Sequence, residues 1–161
     1  MAITKEKKQS IVSSFTDILS NSQSVVFVKF EKLTVADAQN LRRKLRASDV
    51  GYKVGKKSLL KLALMDRGYK GDIPDLPGEI AVAYGVDAIA PAREVYDFQK
   101  GNKDKVAILG GIYEGVYKDQ ATMLSIATIP SREVLLSQIA WLLKSPIQRL
   151  AVAVNEVAKG K

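Results

Sequence analysis

The alternation of strand-like and helical segments between residues 24 and 117 most constrains the fold of this chain. Residues 24–30, SVVFVKF, are β-branched and aromatic, which is typical of a buried strand. Further strand patterns lie at 52–54, 79–84 and 105–117, and helical patterns lie at 33–48, 58–65 and 90–100. The resulting order is β-α-β-α-β-α-β, which implies two right-handed βαβ units.

We therefore predict an α+β fold, a split βαβ (ferredoxin-like) sandwich with helices packed on one face of four short strands. An added N-terminal helix at 4–20 precedes it, and C-terminal helices follow it. A doubly wound parallel sheet is the alternative. The pair Gly110-Gly111 lacks the spacing of a dinucleotide-binding motif and is followed by a hairpin pattern, which favours a turn or a bulge.

Positive charge is concentrated in the first part of the chain. Residues 1–70 hold 15 basic and 6 acidic residues, a net of +9, whereas residues 71–161 hold 10 and 11, a net of −1. So uneven a field is typical of a protein that binds a polyanion. The aromatic residues Tyr52 and Tyr69 offer little for stacking on single strands, so folded RNA or a duplex backbone is the favoured target.

The composition argues against an enzyme. The chain has no cysteine and no histidine, so it lacks disulfides, thiolates, and the commonest general base and metal ligand. The carboxylates at 72, 75 and 79 lack the spacing of a calcium loop. We expect no enzymatic activity, no cofactor and no metal. Without an apolar run of about 20 residues or a secretory signal, we expect a cytoplasmic protein with no membrane partner.

Three lysines mark the change from strand to helix in GYKVGKKSLL, residues 51–60. The spacing of Gly51 and Gly55 is wrong for a phosphate-binding nucleotide loop, so the alternatives are a nucleic-acid contact and a solvated helix face. A helix N-terminus favours anions, and with the charge asymmetry this favours RNA or DNA. The predicted contacts are Lys7, Lys8, Arg42, Arg43, Lys53, Lys56, Lys57 and Lys61.

The end of the chain predicts an apolar helix after Ser145-Pro146, a pair that reads as a hinge. Such a stripe either folds back on its own domain or is captured by partner chains, and the hinge favours capture. We find no internal repeat. The predicted organisation is a basic RNA-binding domain at 1–118, connecting helices at 119–144 and a partner-binding helix at 145–161. The predicted stripe comprises Ile147, Leu150, Ala151, Val154, Val157 and Ala158.

Four stretches resemble one known family in their order and spacing. They are LTVADAQNLRRKLR, YKVGKKSLL, LGGIYEG and IPSREVLL. The chain resembles the bacterial ribosomal stalk base protein, the large-subunit ribosomal protein ten family, over essentially its whole length. The resemblance implies a ribosomal protein without enzymatic activity. Its N-terminal domain would bind large-subunit rRNA at the stalk base, beside ribosomal protein eleven. Its C-terminal helix would hold dimers of the acidic stalk protein, which recruit translational GTPases.

The same resemblance refines the predicted sites. Lys56, Lys57 and Ser58 fall on a lysine, an asparagine and a threonine of the family, so Ser58 joins the predicted RNA contacts and Lys57 strengthens a phosphate role. About 15 residues follow the proline, or about 22 Å of helix, which limits the expected number of stalk dimers to two. The alternative function is a free RNA- or DNA-binding regulator whose C-terminal helix makes a homodimer.

Overall fold

A computed structural model describes residues 5–71, 74, 76–102 and 105–160 of the chain. The predicted N-terminal helix residues before 5, and the carboxylates at 72 and 75, lie outside the described residues. The chain divides into two compact units, residues 1–129 and 130–161.

The first unit contains five strands and five helices in its described residues, and the predicted alternation from residue 24 is confirmed. Local signals start several elements. The Thr34 hydroxyl accepts a hydrogen bond from the backbone N–H of Asp37 at 3.2 Å, which caps α2. The elements are α1 (Lys5–Asn21), β1 (Ser24–Phe30), α2 (Val35–Ala47), β2 (Gly51–Val54), α3 (Lys57–Arg67), β3 (Ile80–Gly85), α4 (Ala90–Gly101), β4 (Val106–Tyr113), β5 (Val116–Asp119) and α5 (Gln120–Ala127).

The five strands form one antiparallel sheet in the order β2-β3-β1-β4-β5. The predicted α+β class is confirmed, and the doubly wound parallel alternative is wrong. Strands β1 and β2 run parallel to each other with β3 between them. Strands β3 and β4 are likewise parallel, with β1 between them. Each βαβ unit therefore holds a strand of the other between its own two strands.

Helices cover both faces of the sheet, so the expectation that they pack on one face is wrong. Successive residues of β1 point to opposite faces. Val26 and Val28 lie in a core with α2, α4 and α5, and Val25 and Phe27 lie in a second core with α1 and α3. We call these the α2 face and the α1 face. A strand buried on both sides is apolar at every position, and this explains SVVFV in β1.

The pair Gly110-Gly111 lies inside β4, where the predicted bulge is confirmed. Phe27 of β1 pairs with Gly110 and Val28 pairs with Ile108, so one residue of β4 is left without a partner. A Cβ on Gly111 would lie 2.5 Å from the carbonyl oxygen of Val25, too close for any side chain. The chain reverses after β4 at residues 114–115, four residues beyond the glycine pair.

The second unit is a single helix, α6 (Arg132–Lys159), of 28 residues. It continues through Pro146, where the sequence predicts an interruption. Proline forgoes one backbone hydrogen bond, but the residues on both sides remain helical. None of the described residues of α6 is buried. Throughout the described residues, no helix combines the length and the apolar character needed to cross a membrane.

The division at residue 129 differs from the boundaries predicted at 118 and 144. Helix α5 belongs to the first unit because Met123 and Ala127 are buried in the core of the α2 face. The segment 132–144 is the first half of α6 and not a separate connecting helix.

Candidate nucleic-acid interface and exposed C-terminal helix

Five of the predicted RNA contacts lie together where β2 passes into α3. We call Lys53, Lys56, Lys57, Ser58 and Lys61 the basic turn. Only residues 55 and 56 separate the end of β2 from the start of α3. A Cβ at position 55 would lie 2.4 Å from the Phe15 ring, so glycine allows the chain to pass close against α1 and keeps the turn short.

The N-terminus of α3 carries no side-chain cap. Lys56 is the N-cap residue, with an extended backbone, and within the described part of the chain no side-chain oxygen accepts from the first turn. The first N–H groups of a helix have no partner inside it, and they bear the positive end of the helix dipole. Lys56, Lys57 and Ser58 are all exposed. Free amides and two ammonium groups therefore meet at one place, which suits a phosphate.

Cations flank both faces of the edge strand β2. The Lys53 ammonium lies 5.0 Å from the centre of the Phe15 ring on the α1 face. The Arg42 guanidinium lies 6.0 Å from the centre of the Tyr52 ring, which packs on the α2 face. Both distances are those of cation–π contacts, which hold the two side chains beside the strand. Burial raises the pKa of the Tyr52 hydroxyl, and the charge of Arg42 opposes this by less.

The other predicted contacts are more scattered. Lys8 lines a groove between α1 and α3 together with Leu59, so it lies beside the start of α3. Lys7 is exposed on α1. On α2, Leu41 and Leu45 are buried against the sheet, and helix geometry turns Arg43 directly away from it. Arg43 is therefore not part of the surface formed by the basic turn.

None of the predicted RNA contacts forms an ion pair within the described part of the chain. The described residues form four ion pairs, and none of the four cations in them is a predicted RNA contact. One of them joins Lys105 to Asp37 at 2.7 Å. A hydrogen bond from the Lys105 side chain, and a weaker one with the Thr34 side chain, hold the pKa of the Asp37 carboxyl below its usual range. The cations of the basic turn therefore remain available to an outside anion.

The predicted partner-binding residues share one face of α6. At about 100° per residue they fall within an arc of about 120°. All six are exposed. Ile147, Leu150 and Val157 leave 72%, 67% and 70% of their surfaces exposed.

The first half of α6 carries the same stripe, which the sequence analysis missed. Leu136, Ile139 and Leu143 are 56%, 55% and 75% exposed, and they lie on the same side of the helix as Leu150 and Val154. A hinge at Pro146, as the sequence predicts, would divide α6 in two and interrupt the stripe, whereas the observed helix is continuous.

The apolar residues of the stripe recur at a spacing of 11 residues, which makes a weak internal repeat where the sequence analysis expected none. Residues 136–144, LSQIAWLLK, align with residues 147–155, IQRLAVAVN, at an offset of 11 residues. Large apolar residues match at four positions, and Ala140 matches Ala151. Eleven residues are within about 20° of three full turns, so the copies lie nearly in line and roughly 17 Å apart.

Comparison with known proteins agrees with the resemblance in the sequence. The family described as "Ribosomal protein L10" matches residues 3–100, and the family "Ribosomal protein uL10 C-terminal region" matches residues 129–161. The chain is 37% identical to the "Large ribosomal subunit protein uL10" of Shouchella clausii, over 100% of this chain and 97% of that protein. The protein of that name from Thermoanaerobacter sp. is 37% identical, over 96% of this chain and 88% of the relative. That from Paraburkholderia phymatum is 34% identical, over 100% and 97%.

Proposed function

The chain belongs to the uL10 family of large ribosomal subunit proteins, and from this premise we propose that it joins large-subunit rRNA at the stalk base to dimers of the acidic stalk protein. As a ribosomal protein it is a component of the large subunit and not an enzyme. The basic turn of the first unit would bind the rRNA. Helix α6 would carry the dimers that recruit translational GTPases.

The cations of the basic turn, which form no ion pair with any described residue, carry the RNA half of this proposal. Lys53, Lys56, Lys57 and Lys61 contribute four positive charges beside a helix N-terminus without a side-chain cap. The Ser58 hydroxyl, in the first turn of α3, adds a neutral donor. Phosphates of a folded RNA would lie along this turn, with Arg42 and Lys8 extending the contact at its margins.

The exposure of α6 supports the partner half. A helix of 28 residues is about 42 Å long, and an isolated helix with such an apolar stripe needs a partner to cover it. The two copies of the 11-residue repeat offer two equivalent docking segments, 136–144 and 147–155. We therefore propose two stalk dimers, one for each copy, which agrees with the upper limit expected from the sequence.

Two finer assignments accompany this proposal. The interleaved order β2-β3-β1-β4 supports the split βαβ plan for the first unit, with α1, α3 and β5 as additions. We also propose, from the family resemblance, that ribosomal protein eleven lies beside the first unit on the rRNA.

Native mass spectrometry of the full chain, co-expressed with the acidic stalk protein of its host and treated with nuclease, tests the partner half. We expect four acidic subunits on each chain. Leu136→Asp/Ile139→Asp and Leu150→Asp/Val154→Asp should each remove one dimer, because each pair disrupts one copy of the repeat. Gln138→Asp/Ser145→Asp, on the opposite side of α6, is the matched control and should keep both dimers.

The thermal unfolding midpoint of the first unit should be the same in all these variants, since α6 buries no residue of its own. A chain that appears bare, or only as a homodimer, would contradict the proposal and favour the free RNA-binding regulator.

A further inference from the structure

A cleft of about 360 Å³ lies beside the basic turn, where β1 and β2 end and β3 begins. Phe30, Val54 and Glu79 line it together with Lys56 and Lys57. Its volume is that of a small-molecule site, which starts at about 300 Å³. Phe30 is an aromatic side chain that the sequence did not single out for stacking, unlike Tyr52 and Tyr69.

Three of these side chains share the α2 face of the sheet. Phe30 packs at the edge of the core on that face. Val54 pairs with Ala81, which belongs to the same core, and paired residues point to the same side. The N–H of Phe30 donates to the carbonyl of Glu79 at 3.3 Å, which continues the β1–β3 pairing by one residue and sets Glu79 on the same side. The cleft thus has an aromatic and an aliphatic wall.

Glu79 does not suit a surface that binds only phosphate, because a carboxylate repels phosphate. The nearby Glu31 is neutralised by Lys29 at 2.6 Å. Glu79 forms no ion pair with any of the described residues, and its side chain is exposed. A carboxylate is a strong acceptor for the N–H groups on the edge of a nucleobase.

We infer that this cleft takes one unpaired nucleobase with an exocyclic amino group, that is adenine, cytosine or guanine. The base stacks on the Phe30 ring and its amino group donates to the Glu79 carboxylate. The flanking phosphates lie on Lys56 and Lys57. Sequence-specific recognition of RNA commonly uses bases turned out of the helix in this way. The inference rests on the proposed binding of rRNA and adds a base-reading element to a surface expected to contact only the backbone.

Chemical probing of the stalk-base segment of the host rRNA, with and without the full chain, tests the inference. Dimethyl sulfate reports on adenine and cytosine, and kethoxal on guanine. We expect one unpaired base to be protected by the wild-type chain. Phe30→Leu keeps the apolar volume but removes the ring, so it should expose that base and weaken binding about tenfold. Phe30→Tyr keeps the ring and should restore protection.

The sign of the effect at Glu79 distinguishes the two roles of this carboxylate. If it holds a base, Glu79→Ala should weaken RNA binding about fivefold. If it only stands near phosphates, the same change removes a repulsion and strengthens binding. Because Glu79 is exposed, Glu79→Ala should fold normally. It therefore tests the base site even if Phe30→Leu does not fold.

The failure of this inference differs from failure of the proposed function. Stronger binding by Glu79→Ala, or an RNA footprint without a protected unpaired base, would overturn the base site and leave rRNA binding intact. A wild-type chain that leaves no footprint on the rRNA would overturn both.

Discussion

Reversing two charges of the basic turn, with Lys56→Glu/Lys57→Glu, should lower the affinity for stalk-base rRNA by about 150-fold or more near 0.1 M salt. The four lysines of the turn carry four positive charges. The double reversal leaves two positive and two negative charges, so the net charge of the turn falls to zero. Each charge-assisted hydrogen bond contributes about 1.5 kcal/mol or more, and repulsion by two new carboxylates adds to the loss. The Debye length of about 10 Å at this salt keeps the effect local.

Filter binding or fluorescence anisotropy at several salt concentrations measures both the affinity and its dependence on salt. Loss of two phosphate contacts should reduce the slope of log K against log salt by about two. Lys144→Glu/Arg149→Glu on α6 is the matched control, since it changes the net charge equally outside the basic turn. It should leave the affinity within about threefold of the wild type.

The charge reversal should not unfold the chain, so a loss of affinity would come from lost RNA contacts and not from unfolding. Lys56 and Lys57 are exposed at the N-terminus of α3, where acidic residues are favoured by the helix dipole. The thermal unfolding midpoint should therefore stay the same or rise slightly. Unchanged affinity would refute the proposal that the basic turn binds the rRNA. An equal loss of affinity in the control would mean that the overall net charge, and not this turn, determines the binding.

Two further predictions concern the first unit itself. Gly111→Val should lower the free energy of unfolding by about 3 kcal/mol in urea titration, because its Cβ would meet the carbonyl oxygen of Val25 at 2.5 Å; an effect under 1 kcal/mol would mean that β4 shifts easily. Asp37→Asn should destabilise the chain at pH 7 through loss of the ion pair with Lys105. Because the pKa of Asp37 is lowered by folding, this stabilisation is present above its unfolded pKa of about 3.9 and lost as the pH falls through its folded value. The stability difference between wild type and Asp37→Asn should thus narrow as the pH falls through the folded pKa of Asp37, and a difference that does not narrow on acidification would contradict this reasoning.

Local chemistry accounts for the elements that were predicted correctly. The β-branched run of β1, the Thr34 cap of α2 and the proline in the first turn of α4 act over a few residues, so their sequence patterns predict strands and helices without tertiary contacts. The charge of the first 70 residues and the lysines after β2 are likewise visible in the sequence. These features were enough to predict the α+β class and the position of the basic turn.

The errors arose where distant segments or cooperative structure decide. An apolar run such as β1 is compatible with burial on one face or both, and only packing of α1 and α3 on the second face resolves it. Pro146 weakens a helix locally, but the helical residues on both sides keep α6 continuous. That continuity joins the two copies of the repeat into a single stripe.

The sequence by itself determined the alternation of elements, the uneven charge and the family, because each is carried by residue types and their spacing. Only the tertiary structure decided which side chains meet. Antiparallel pairing of β1 with β3 brings Phe30 beside Glu79, and the edge position of β2 sets Lys56 and Lys57 next to both. Residues almost 50 positions apart in the chain share one cleft because strand pairing, and not sequence spacing, determines which side chains lie together.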